Sequence, residues 1–232
     1  MTRRGLREAR RYLVGVVVLE TVLLAAGFRA AARALLAAAA PALLCFRDPE
    51  RRLDPKEGVV YAVADGIVTG IDPVVEPWIE GGQSMRVSTF LALYDVHVTR
   101  SPVAGRLALE EELPGGFRPA FRRNAEENRR RRVAIDGPRG RVVVTQVAGM
   151  VARRVAPWVR PGQELTAGQR LAMIHFGSRV DVVLPAGSAE VCVRVGERVR
   201  AGTSPLARYR AGEDEPDPRE PIFSARREEV AA

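Results

Sequence analysis

Val159-Arg160-Pro161-Gly162-Gln163-Glu164-Leu165-Thr166-Ala167-Gly168-Gln169-Arg170-Leu171-Ala172 returns in shortened form as Val193-Arg194-Val195-Gly196-Glu197-Arg198-Val199-Arg200-Ala201-Gly202, with Leu206-Ala207 closing the second copy. The shared skeleton is V-R-x-G-x-x-[L/V]-x-A-G, then L-A. Glycines at both turn positions admit positive φ, and the aliphatic residue between them is expected to point inward. A second echo punctuates the same region: Ala64-Asp65-Gly66-Ile67-Val68, Pro102-Val103-Ala104-Gly105-Arg106-Leu107 and Pro185-Ala186-Gly187-Ser188-Ala189-Glu190-Val191. Short β-branched runs lie around these turns, at residues 59–63, 67–69, 142–144, 180–184 and 191–193. The pattern predicts strands joined by tight turns from Val59 to Leu206, a mainly β barrel or sandwich.

This grammar resembles the barrel-sandwich hybrid of biotinyl and lipoyl domains. Those domains carry their cofactor on a hairpin lysine. Lys56 is the only lysine here and lies outside every hairpin named above, which argues against a swinging arm. The fold expected is therefore a barrel-sandwich-hybrid-like β core with an N-terminal apolar helical membrane segment.

That segment begins with a basic stretch, Arg3, Arg4, Arg7, Arg10 and Arg11. An apolar run from Tyr12 to Phe28 follows, broken only by Glu20, and a second run extends from Ala34 to Phe46 after Arg29 and Arg33. Each run is shorter than the roughly 20 residues a spanning helix needs. One imperfect spanning helix, a hairpin dipping into one leaflet, and a buried helical pair of a soluble core all remain open. The leading arginines favour a cytoplasmic N-terminus, hence the cytoplasmic side of the cell membrane. Domains are expected at residues 1–46, 47–211 and a mobile charged tail, 212–232. Residues 124–132 read as a surface loop or short helix.

The chain has 232 residues, 36 basic and 28 acidic, for a net charge of +8. An arginine-rich surface suits an anionic membrane or is simply solvated. Aromatics make up 6% of the residues without basic interleaving, so nucleic acid is not an expected partner. Cys45 and Cys192 lie far apart in apolar settings and are expected as buried free thiols. Two histidines, His97 and His175, are too few for a histidine-rich metal site, and no metal is expected. A pyridoxal enzyme needs a Schiff-base lysine, and Lys56, beside Asp54-Pro55, is poorly cradled.

A carbonyl can instead be built from the chain at Gly177-Ser178, within Met173-Ile174-His175-Phe176-Gly177-Ser178-Arg179-Val180-Asp181. Attack of the serine hydroxyl on the Gly177 carbonyl converts amide to ester, β-elimination releases residues 1–177, and the remaining dehydroalanine becomes a pyruvoyl group. Glycine leaves the carbonyl open to attack. A pyruvoyl ketone can form a Schiff base with an amine and act as an electron sink for decarboxylation. On spacing alone, a turn between two strands is the better account of the pair.

Several ordered segments resemble the phosphatidylserine decarboxylase family, in its short bacterial and archaeal-like branch. They are Phe46-Arg47-Asp48-Pro49-Glu50-Arg51, Ala64-Asp65-Gly66, Asp95-Val96-His97-Val98-Thr99-Arg100-Ser101-Pro102-Val103-Ala104-Gly105, Asn124-Ala125-Glu126-Glu127-Asn128, Gln146-Val147-Ala148-Gly149, Ala152-Arg153-Arg154 and Phe176-Gly177-Ser178-Arg179-Val180-Asp181. The resemblance implies a pyruvoyl proenzyme cut between Gly177 and Ser178 into α and β chains that stay together. It would act at the membrane surface on an anionic phospholipid, phosphatidylserine, to give phosphatidylethanolamine. It implies Ser178 as the pyruvoyl precursor, His97 as the residue of decarboxylation, Asp65 in self-cleavage, and Asp95 nearby in a looser role. Longer members carry a second histidine three residues after the first, where this chain has Arg100. His175 is a candidate in its place, with a structural role as the alternative. Arg100, Arg153, Arg154 and the cluster Arg129–Arg132 are candidates to meet the lipid phosphate. A homo-oligomer stays open. The rival reading is a non-enzymatic, membrane-anchored barrel-sandwich adaptor, which would carry a helical hairpin between the halves of its β motif.

Overall fold

The computed structural model describes residues 3–116, 128–149, 154–175 and 178–210. Two helices lead, α1 (Arg3–Ala25) and α2 (Arg29–Leu44). The described strands are β1 (Val59–Tyr61), β2 (Gly66–Val75), β3 (Gln83–Leu91), β4 (Val98–Arg100), β5 (Gly105–Leu113), β6 (Arg130–Gly137), β7 (Gly140–Val147), β8 (Val155–Pro157), β9 (Glu164–Leu165), β10 (Arg170–Ile174), β11 (Ser178–Pro185), β12 (Ala189–Val191), β13 (Arg198–Val199) and β14 (Pro205–Tyr209). An eight-stranded sheet runs β13-β2-β3-β11-β7-β6-β5-β9. Two three-stranded sheets, β4-β10-β8 and β1-β14-β12, complete the β domain. Among the described residues no helix interrupts the β region, in contrast to what the adaptor reading requires.

The two sequence repeats form the two edges of the large sheet. β9 pairs with β5 through Gly105 opposite Leu165, and β13 pairs with β2 through Gly66 opposite Val199. The flanking hydrogen bonds match: Leu107 N to Gln163 O at 2.9 Å and Gly162 N to Leu107 O at 2.7 Å in one copy, Val68 N to Glu197 O at 2.9 Å and Gly196 N to Val68 O at 2.8 Å in the other. The sheet is thus built as two related halves, β13-β2-β3 and β9-β5-β6, meeting at the central pair β11 and β7.

Alternation decides which side each strand buries. Val180, Val182 and Leu184 of β11 join Val142 and Val144 of β7 and Val133 and Ile135 of β6 in the main core. On the opposite face Val183, Val143 and Ala134 pack under Ile79. Burial of these aliphatic side chains contributes about 1.5–3 kcal/mol each.

The helices form a hairpin. α1 turns at Gly27, which has φ 81°, and packs against α2. α1 starts at Arg3, so the basic residues before Tyr12 belong to the same helix as the apolar run that follows. Ala9, Tyr12 and Leu13 on its first half pack with Cys45, Phe46, Val96, Val98 and Met173. Its second half leaves Val14, Val17, Val18 and Val22 exposed, Val17 to 58%, and the turn leaves Phe28 62% exposed. Among the described residues no helix is long and apolar enough to cross a membrane.

Two further expectations change. Residues 130–132 belong to β6 rather than to a loop or helix, and 124–127 lie outside the described residues. Cys45 is buried as expected, but Cys192 is exposed: it follows β12 between Val191 and Val193, which both pack on the main core, and so faces the other way. The tail from 212 onward also lies outside the described residues.

Candidate active site

Ser178 opens β11, the strand at the centre of the large sheet. It sits opposite Leu91 of β3 and is completely buried. Its side chain shares the core-facing side with Val180 and Val182, two and four residues on. Its Oγ is buried without a hydrogen-bond partner among the described residues. A buried hydroxyl left unpaired costs about 1–3 kcal/mol, so this atom calls for an explanation. The preceding strand, β10, belongs to the other sheet, β4-β10-β8. The chain therefore crosses between sheets from His175 to Ser178. Phe176 and Gly177 lie outside the described residues.

His97 stands where that crossing begins. Its carbonyl accepts a hydrogen bond from Ile174 N at 3.0 Å. The ring is fully buried, and its Nδ1 lies 2.8 Å from the Asp95 carbonyl oxygen. A carbonyl only accepts, so the proton sits on Nδ1 and Nε2 carries the lone pair. Burial pushes the imidazole pKa down, against the Asp95 carbonyl hydrogen bond and the charges of Asp95 and Asp65, which push it up. His97 is thus a neutral base with a fixed tautomer.

Asp95 sets that tautomer through its backbone. Its carboxylate is used elsewhere, with Oδ2 accepting from Ala92 N at 2.9 Å and Oδ1 from Arg198 Nη1 at 2.7 Å. Asp65 is held in a two-pronged pair with Arg51, at 2.6 Å on each oxygen, and Oδ1 also accepts from Ala201 N at 2.8 Å. The structure gives Asp65 a clamp that ties the segment before β1 to the turn after β13.

Arg100 is buried and spent on the chain. It donates to Gly168 O at 3.1 Å and Pro49 O at 2.9 Å, beside Asp48 at 3.5 Å. Burial, with Arg170 and Arg51 nearby, lowers its pKa. Asp48 is shared with Arg170 at 2.8 Å. The Phe46-Arg47-Asp48-Pro49 segment is therefore a strap held by the buried Arg100 and the half-buried Arg170. Arg154 is exposed and contributes its carbonyl to His175 N at 3.0 Å. Arg153 lies outside the described residues.

His175 is occupied by α1. Its Nδ1 lies 3.0 Å from Tyr12 Oη and 3.1 Å from Arg11 Nη2. Nε2 is 3.4 Å from a Glu8 carboxylate oxygen, and Phe46 meets the ring edge-on with centroids 5.3 Å apart. Arginine only donates, so Nδ1 is the acceptor. Burial, then Arg11, Arg154 and His97, bring the His175 pKa down to about 3. The ring is a neutral docking post for the helix, which is the structural alternative considered for it.

One polar chain escaped sequence reasoning. Thr99 Oγ1 donates to Ala172 O at 3.1 Å and accepts from Gln146 Nε2 at 2.6 Å. Gln146 Oε1 accepts from Arg131 Nη1 at 3.0 Å, and Arg131 Nε donates to Glu110 at 2.6 Å. The available signal was Gln146, a polar residue in an inward position of an otherwise aliphatic strand.

A fully buried serine thus opens the central strand of the β domain, and a buried neutral histidine lies beside the strand that precedes it. Residues 41–207 match the family model described as phosphatidylserine decarboxylase. A phosphatidylserine decarboxylase proenzyme of Symbiobacterium thermophilum is 45% identical over 166 residues, covering 70% of this chain and 76% of that protein. One from Streptomyces griseus is 41% identical over 172 residues, covering 74% and 76%. One from Carboxydothermus hydrogenoformans is 38% identical over 166 residues, covering 71% and 78%. The chain belongs to the phosphatidylserine decarboxylase family.

Proposed function

We propose that this chain is a proenzyme that cuts itself between Gly177 and Ser178 and then decarboxylates phosphatidylserine to phosphatidylethanolamine. The observation that carries the reading is the buried Ser178 Oγ, which has no hydrogen-bond partner among the described residues. In the cut, the Ser178 oxygen replaces the Ser178 nitrogen on the Gly177 carbonyl carbon. Elimination then frees residues 1–177 as a carboxylate, and water replaces the freed nitrogen, which leaves as ammonia. The site fits a pyruvoyl group, since the atom that must leave is the unpaired one. Such a group supplies a carbonyl that takes up the substrate amine and draws in the electrons released with CO2.

The chain's own residues handle protons and position. His97 Nε2, with its lone pair fixed by the Nδ1 contact to Asp95, accepts a proton from the incoming ammonium and returns it to the carbon that loses CO2. Asp95 holds the ring through its carbonyl. Asp65 keeps the turn after β13 registered against the strap before β1. The two products of the cut stay joined, because β11 pairs along eight positions with β3 and along five with β7. The exposed apolar half of the α1–α2 hairpin, beside the basic start of α1, supports docking on the cytoplasmic face of an anionic membrane, where a two-chain lipid resides.

Intact-mass measurement of the purified protein tests this. The expected result is two chains, 1–177 and 178–232, the second shifted by the change from serine to pyruvoyl and shifted again by a hydrazine. A fully active preparation of one uncut chain would overturn the reading. Ser178→Ala is expected to give a single uncut, inactive chain.

A further inference from the structure

Arg131 is among the most deeply buried side chains of the molecule, at 1% exposure. The cluster Arg129–Arg132 reads as one basic patch, yet its members separate by strand parity. Arg132 points to the outer face, against Glu76, Glu111 and the Trp78 ring. Arg131 pairs with Gln146 on β7, and Gln146 pairs with Val180 on β11. All three therefore lie on the core-facing side, the side shared by Ser178.

Two of its three nitrogens are held. Nε donates to Glu110 at 2.6 Å and Nη1 to Gln146 at 3.0 Å. Nη2 is buried with no hydrogen-bond partner among the described residues. A guanidinium carries five N–H donors, and leaving a charged donor unpaired away from water is more costly than leaving a neutral one. The two held nitrogens fix the plane of the group, so the third is a pre-aimed donor. From strand spacing, two strands across and two residues along, the Cα of Arg131 lies about 12 Å from that of Ser178. An extended arginine side chain covers much of that span.

We propose that Arg131 Nη2 binds the phosphodiester of the phospholipid substrate. The phosphorus lies three bonds from the α-carbon that reacts at position 178. The choice of phosphate over carboxylate follows from the reaction. The carboxylate loses its charge as CO2 leaves, so a buried arginine on it would favour the ground state over the transition state. The phosphodiester keeps its charge throughout and can be held without slowing the step. Glu110 tempers the positive charge, and Gln146 links the guanidinium to Thr99, two residues from His97.

This inference rests on the decarboxylase reading above, and the test separates the two. Binding to the mature protein is measured by calorimetry for two product analogues, glycerophosphoethanolamine and the phosphate-free 2-methoxyethylamine. Arg131→Met is expected to weaken the first by roughly 10- to 100-fold, the range of one charge-assisted hydrogen bond, and to leave the second unchanged. Glu110→Gln is expected to tighten the first alone, the opposite of what structural damage does. Equal changes for both ligands, or no change in the first, would overturn the proposal. Where Arg131→Met does not accumulate as folded protein, Glu110→Gln decides by the same ratio. Failure of the decarboxylase reading shows separately, as wild-type protein that stays uncut and releases no CO2 from phosphatidylserine.

Discussion

Tyr12 Oη on the first helix lies 3.0 Å from His175 Nδ1, three residues before Ser178. With Arg11 on the same nitrogen and Glu8 near the other, one helical turn surrounds the ring. The helix whose far half is apolar and exposed is thus seated on the segment that leads to the cut. His175 stays neutral in the folded protein, with a pKa near 3, against an ordinary value near 6.5. Below about pH 6.5 the unfolded chain binds a proton that the folded chain refuses, so folded stability falls as pH drops toward 3. Burial of His97 acts in the same direction. Urea unfolding at pH 7 and pH 5 should show the lower stability at pH 5, and His175→Asn should reduce that difference. An unchanged difference would count against the neutral, helix-docked ring.

The clamp between Arg51 and Asp65 is nearly buried, with 12% and 14% of the side chains exposed. Removing one partner leaves a charge without compensation. Asp65→Ala should cost about 3 kcal/mol, the lower end for a buried pair. Arg51→Met should cost a similar amount, and the double variant less than the sum. Chemical denaturation of the four proteins gives the coupling. The same set separates a clamp from a catalytic carboxylate. If the clamp is what self-cleavage needs, Arg51→Met slows the appearance of cut chains as Asp65→Ala does. If Arg51→Met cuts at the wild-type rate while Asp65→Ala does not, Asp65 acts directly.

After the cut, the pieces should not part. β11 remains between β3 and β7, Arg198 remains on Asp95 at 2.7 Å, and Ala201 remains on Asp65. Native mass spectrometry should find one particle containing both chains, with separation only in denaturant. Loss of the small chain under native conditions would contradict this pairing.

Much of this arrangement was legible in the residues. The V-R-x-G repeats marked paired glycine turns with an inward aliphatic residue between them, and these turns fall at the two edges of the large sheet. Ser178 and His97 stood out by motif. What stayed hidden depends on pairing register. Arg131 read only as one member of a basic cluster with three other arginines, and it separates from them once β7 is laid beside β6 with Gln146 opposite it. The start of α1 read as a basic stretch leading a membrane segment, because charges that dock on a buried imidazole look the same in sequence as charges that face a membrane. Arg100 was a candidate for lipid phosphate, and only its contacts with Gly168, Pro49 and Asp48 reveal that its donors are used inside the chain.

Gly66 and Gly105 occupy matching places in the two halves of the sheet, with φ 155° and 153°. A Cβ on Gly66 would lie 2.0 Å from the Phe90 carbonyl oxygen, and one on Gly105 would lie 2.2 Å from that of Asp136. Both distances are far inside contact, the obstacle is backbone, and the dihedral itself disfavours a side chain. Gly66→Ala and Gly105→Ala should therefore destabilise to a similar extent, about 4 kcal/mol or more, the range reserved for named structural faults. Their effects on self-cleavage should differ. Phe90 immediately precedes Leu91, the residue opposite Ser178, so a displaced Phe90 carbonyl moves the strand that holds the proposed nucleophile. Asp136 lies on β6, opposite Arg106 and Arg141, away from Ser178. Following the half-time for conversion of precursor to cut chains, at a temperature where both variants are folded, should show the larger delay for Gly66→Ala. Equal delays would mean that the rate follows global stability rather than the placement of Ser178 by β3.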